Sequence, residues 1–96
     1  MNGYHVKNPD DATEMVLDWA ARYLEPGETI TADLGWQVAP VVTGGLTAVS
    51  ASNTATTTTA TLNGGRAGDA YLVAGTVQTD RGRELSRSIT VRIANL

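Results

Sequence analysis

The alternation of apolar and polar positions is sharpest near the end of the chain. Leu85, Ile89, Val91 and Ile93 are interleaved with Ser86, Ser88, Thr90 and Arg92. A period of two is what a strand with one face on a core requires. Ile30, Ala32, Leu34, Trp36 and Val38 repeat the pattern, and Asp69 to Thr79 sets Tyr71, Val73 and Val77 on one face. Leu46 to Val49 reads as a short strand. Residues 53–62, NTATTTTATL, look like low complexity, yet threonine is β-branched and suits a pleated surface. Leu62 and Gly64-Gly65 then close the run as a strand and turn would. Pro26-Gly27, Pro40, Gly44-Gly45 and the hairpin signal Asp80-Arg81-Gly82-Arg83 separate these runs. Short strands at regular spacing with turns between them predict an all-β, antiparallel β-sandwich.

Two stretches fit this less simply. Val16, Trp19, Ala20, Tyr23 and Leu24 follow helical spacing, with Asp11-x-x-Glu14 resembling a capping box, while Met15, Leu17, Trp19, Ala21 and Tyr23 alternate as a strand. Local pattern favours the helix. Residues 1–12, MNGYHVKNPDDA, are polar and interrupted by Gly3 and Pro9. They read as an N-terminal arm, mobile until a partner orders it, ahead of a sandwich domain over residues 13–96.

Ninety-six residues suit one domain with a modest core. Trp19, Trp36 and Tyr71 are expected in that core with Ile89, Val91 and Ile93. The chain has no cysteine, hence no disulfide framework or thiolate metal site. It shows no apolar run long enough to span a bilayer and no secretory leader, so neither a membrane nor export is expected. Net charge is −3, which speaks against nucleic acid as a partner. The charge is unevenly spread: residues 1–40 hold two basic and seven acidic side chains, residues 41–96 five basic and three acidic.

No catalytic constellation emerges. His5, the one histidine, lies in the arm, and the serines lack a nucleophile elbow. Asp10-Asp11 suit a turn better than paired-carboxylate chemistry, and calcium-loop spacing is absent. No catalytic residue, cofactor or metal ligand is assigned. The candidate chemistry is that of a protein interface. Asp80, Arg81, Gly82 and Arg83 form a loop tip whose guanidiniums could meet carboxylates on a neighbour, and the acidic segment Asp10, Asp11, Glu14 could supply such carboxylates.

The order of motifs adds a resemblance. Lys7-Asn8-Pro9-Asp10-Asp11 is followed by Leu17-Asp18-Trp19, then Leu24 with Pro26-Gly27-Glu28-Thr29-Ile30, then Trp36-x-Val38 and Gly45-Leu46-Thr47. A threonine-rich strand closes on Leu62-x-Gly64-Gly65. Gly68-x-x-Tyr71, Thr79-x-x-Gly82-Arg83 and a serine-rich strand complete it. Over about residues 7–93 the chain resembles small structural proteins of tailed bacteriophages, described as fibre–tail adaptor-like or as head or tail accessory proteins. Residues 21–24 and the length of the threonine run depart from that pattern. The resemblance implies an immunoglobulin-like sandwich, in which residues 15–24 would be strand and Tyr71 a corner tyrosine bonded to nearby backbone. It also implies a virion component, made in the host cytoplasm, that binds other tail, fibre or capsid proteins and oligomerises in the particle. A tail-associated adaptor is the leading function. Capsid decoration is the alternative within the class, and a carbohydrate-binding module the alternative outside it.

Overall fold

The computed structural model describes residues 3–20 and 23–95. Residues 1–2 of the predicted arm, Ala21-Arg22 within the ambiguous stretch and residue 96 lie outside them. Among the described residues seven strands form two sheets: β1 (Gly3–Lys7), β2 (Thr13–Asp18), β3 (Ile30–Ala39), β4 (Thr47–Asn53), β5 (Thr57–Asn63), β6 (Ala70–Thr79) and β7 (Glu84–Ile93). One sheet runs β1-β7-β6-β3 and the other β2-β5-β4. Their facing sides enclose a single core, so the all-β sandwich is realised, with no helix among the described residues.

Residues 13–18 resolve the competing periods. β2 turns Met15 and Leu17 inward and leaves Val16 exposed, as a strand requires and a helix would not. The helical signal has a local origin. Beyond the strand, the amides of Tyr23 and Leu24 both donate to the carbonyl of Trp19, at 3.1 and 3.0 Å. The apparent capping box does not form. The Asp11 carboxylate instead accepts from the Asn8 side chain at 3.2 Å, within its own loop.

The segment Gly3–Lys7, read as part of an arm, is an ordered edge strand. It pairs with β7 from Gly3 opposite Ile89 to Lys7 opposite Ile93, with His5 half-buried. This pairing is parallel, so the architecture is not wholly antiparallel. The reason is geometric: the chain crosses from one sheet to the other between β1 and β2, and β1 therefore lies beside β7 instead of hairpinning onto β2. Polar composition concealed the strand because its inward side chain is a lysine. Lys7 is 2% exposed. Its ammonium donates to the carbonyls of Asn8 at 2.7 Å and Gly64 at 2.9 Å, which lets a charge sit at the core margin. Burial pushes its pKa down, and the nearby Asp11 and Asp10 oppose that.

Two further stretches differ in detail. The threonine run is a turn plus a strand: Thr54 Oγ1 accepts the amides of Thr56 and Thr57, and β5 starts only at Thr57. β3 does not keep one face from end to end. Register shifts between Ile30 and Ala32 and between Asp33 and Gly35 insert bulges, which leave Leu34 48% exposed. Trp36, beyond the second bulge, packs against the core but is only half-buried, whereas Trp19, Tyr71, Ile89, Val91 and Ile93 are buried.

Gly65 shows how closely the sheets approach at one end. It has φ 98, and a Cβ there would lie 2.7 Å from Cδ1 and Cγ1 of the buried Ile93. Gly65→Ala is expected to cost about 1–3 kcal/mol from overpacking alone, with the left-handed backbone adding to it. Gly68 has similar φ but open space around it, so Gly68→Ala isolates the backbone part. Urea midpoints should fall further for Gly65→Ala; equal losses would remove the packing argument.

Candidate protein interface

Strand direction sorts the loops into two groups at opposite ends. The β2–β3 loop, the β4–β5 turn and the β6–β7 hairpin share one end. The β1–β2, β3–β4 and β5–β6 loops share the other, since Lys7 pairs with Ile93 and not with the start of β7. The longest extent of the molecule is 41 Å. Asp80, Arg81, Gly82 and Arg83 therefore lie at one end, while Asp10, Asp11 and Glu14 lie at or near the other. The structure does not bring the two groups together within one copy.

The hairpin is closed by backbone bonds from Gly82 N–H to the Thr79 carbonyl at 3.0 Å and from Thr79 N–H to the Arg83 carbonyl at 2.9 Å. Gly82 takes φ 73, which a tight turn assigns to glycine. Asp80 is fixed too: its amide donates to the Thr29 carbonyl at 2.9 Å, and its carboxylate accepts the Thr29 amide at 3.1 Å.

Both guanidiniums already have carboxylate partners within the chain. Arg81 Nη1 reaches Glu25 Oε2 at 2.7 Å and Nη2 the Pro26 carbonyl at 2.7 Å. Arg83 embraces Glu28 through Nε, at 2.9 Å to Oε2, and through Nη2 to Oε1, and it also donates to the Tyr23 carbonyl at 2.8 Å. Glu28 has no exposed side-chain surface. Its carboxylate further accepts the Thr79 hydroxyl at 2.6 Å and the Glu25 amide at 2.9 Å. Bidentate pairing with Arg83 holds the Glu28 carboxyl far below its usual range despite burial, and the same pairing raises Arg83. Folding thus joins the acidic first part of the chain to the basic second part: Glu25 and Glu28 flank the Pro26-Gly27 turn, and Arg81 and Arg83 grip it from the hairpin. The charge asymmetry of the sequence is at least partly satisfied inside one molecule.

These anchors were not singled out by sequence reasoning. Their signal was the placement of Glu25 and Glu28 on either side of a Pro-Gly turn, opposite an Arg-Gly-Arg tip of matching spacing. Arg81 keeps 44% of its side chain exposed, and Glu25 57%, so this ion pair remains open to solvent. At the other end Asp10, Asp11 and Glu14 are all exposed. No cluster of three or more potential metal ligands occurs among the described residues.

The sandwich thus carries polar loops at both ends, and the hairpin end is tied down by bonds within the chain. The family comparison bears on what the protein contacts. The model of the podophage GP4 fiber-tail adaptor protein gp77 family matches residues 7–92.

The chain belongs to this family.

The match begins in β1 and ends in β7, so it takes in both sheets and the hairpin. No match was found among curated proteins. Membership makes the protein a tail-associated adaptor, a structural component of the virion that binds other virion proteins.

Proposed function

We propose that the protein connects tail and fibre by using its two ends for two different contacts. The observation that carries this reading is the family match over residues 7–92. The geometry supports it: an adaptor must hold two partners apart, and the candidate contact groups sit at opposite ends of an elongated domain. At one end the hairpin Asp80–Arg83 is tied down by carboxylate partners from the same chain, and Asp80, Arg81 and Gly82 stay exposed. At the other end Asp10, Asp11 and Glu14 present an acidic surface. The chain works without catalysis or cofactor, binds no nucleic acid, and is made in the host cytoplasm before assembly into particles as several copies.

We also infer that the sandwich is immunoglobulin-like. The orders β2-β5-β4 and β7-β6-β3 correspond to the B-E-D and G-F-C orders of that fold. A tyrosine, Tyr71, stands at the start of the strand equivalent to F, and a tryptophan, Trp36, on the equivalent of C. Two features differ from the simplest form of that fold. β1 lies beside the last strand, and the Tyr71 hydroxyl donates to the Asp69 carboxylate at 3.4 Å where backbone was expected.

Antibody labelling of intact particles tests the function: label at the fibre attachment region of the tail is expected, and label over the capsid shell would replace this reading with shell decoration. The contact role of the hairpin separates its two arginines. Arg81→Ala is expected to leave the melting temperature within a few degrees of the parent and to reduce incorporation into particles, because its ion pair is exposed and contributes about 0–1 kcal/mol. Incorporation of Arg81→Ala at the parental level would leave the hairpin without a contact role.

A further inference from the structure

Along one flank of the sandwich the free edges of β3 and β4 run side by side, and neither is shaped to receive another strand. β3 has its two bulges, and β4 has a register shift between Val49 and Ser52. Within that shift Ser50 holds φ 55. Bulges interrupt the row of amides and carbonyls that strand addition needs. A non-glycine residue in left-handed backbone persists only where its surroundings impose it, and such residues gather at binding sites.

Between these edges lies a groove of about 300 Å³, lined by Asp33, Gly35, Trp36, Ser50, Ser52 and Asn53 among others. The second bulge of β3 aims its charge into place. Asp33 accepts the Gly35 amide at 2.9 Å through Oδ1 and the Trp36 indole N–H at 3.2 Å through Oδ2. A carboxylate is thereby fixed beside an aromatic ring. No cation among the described residues forms an ion pair with Asp33. Arg81 and Arg83, by contrast, are matched with Glu25 and Glu28.

We propose that this groove receives one basic side chain, an arginine or lysine presented by another virion protein, seated against Trp36 and paired with Asp33. The source of that side chain rests on the adaptor reading; the chemistry of the groove does not. Tryptophan is the strongest aromatic partner for a cation, and a guanidinium can stack on a ring while donating to a carboxylate. Ser50, Ser52 and Asn53 supply polar groups for the remaining donors. The volume is at the small end for ligand pockets, which suits a single side chain.

Nuclear magnetic resonance of the labelled full chain tests this, with the capped peptide Gly-Gly-Arg-Gly-Gly as probe and its citrulline counterpart as a neutral isostere. Saturable displacement of the Trp36 indole resonance is expected with the arginine peptide. Affinity should fall by about tenfold or more with citrulline, the scale of a partly desolvated cation–π and ion-pair contact. Asp33→Asn should give a similar loss, because asparagine keeps an acceptor for the Gly35 amide and removes the charge. The citrulline comparison uses the unaltered chain, so it decides even if Asp33→Asn folds poorly. Equal binding of the two peptides overturns the proposal, as does no saturable response to arginine, or a Trp36 response to maltose in its place, which would make the groove a sugar site. None of these outcomes bears on where the protein sits in the particle.

Discussion

Trp19→Ala is expected to leave the isolated domain largely unfolded at physiological temperature. Trp19 is 0% exposed and follows directly on β2, wedged between the sheets. Its indole N–H donates to Thr58 Oγ1 at 3.1 Å, its amide donates to the Thr56 carbonyl at 2.9 Å, and its ring meets Tyr23 edge-on with centroids 5.3 Å apart. Truncating a buried tryptophan typically costs about 3–5 kcal/mol. A domain of this size has about 5–14 kcal/mol in total, so the loss consumes a large part of it. The truncation also leaves the buried Thr58 hydroxyl without its donor. Trp36→Ala should be clearly milder, because that ring is only half-buried, beside the groove. Urea unfolding of the two variants gives the comparison. A larger loss for Trp36→Ala would place the mechanical centre of the core on β3 and overturn this assignment.

The two tryptophans also show what was legible in the sequence. Strands with uninterrupted alternation were readable in advance. β6 and β7 place Tyr71, Val73, Val77, Ile89, Val91 and Ile93 inward as their period implies. β3 was legible as a strand, but the outward turn of Leu34 was not, because one bulge inverts the alternation and the second restores it, so that Trp36 and Val38 again pack against the core. Nothing in Ala32-Asp33-Leu34-Gly35 other than the glycine marks that shift. β1 was hidden for a different reason. Pattern reading looks for apolar inward positions, and here a lysine is buried by capturing backbone carbonyls that only the folded chain assembles.

The candidate contacts divide in the same way. A loop tip at 80–83 could be read from turn chemistry, and its exposure follows from position. The partners of its arginines could not be read, since Glu25 and Glu28 lie more than fifty residues away in sequence. Only the sandwich topology brings the Pro-Gly turn beneath the hairpin. Charge bookkeeping along the chain therefore suggested a complementarity between copies, where the fold uses much of it within one.

Acid is expected to weaken the domain chiefly through Glu28. Its carboxylate accepts from Arg83, Thr79 and the Glu25 amide at a site without solvent exposure, and its folded pKa lies far below the ordinary 4.5. A depressed folded value means that the ionised form is the one the fold prefers. The resulting stability is fully present above about pH 4.5, the value the unfolded chain resumes, and is lost progressively as pH falls toward the folded value. Glu28→Gln removes that dependence, because an amide cannot ionise and cannot reproduce the bidentate acceptance of a guanidinium. At neutral pH the variant should therefore melt several degrees below the parent. Descending from pH 5 into the strongly acidic range, the parent should lose stability faster than the variant, so the gap between them narrows. Melting curves of both proteins over that range measure it directly. A gap that stays constant with pH would show that Glu28 contributes by packing and neutral hydrogen bonds, and that the clamp beneath the hairpin does not depend on its charge.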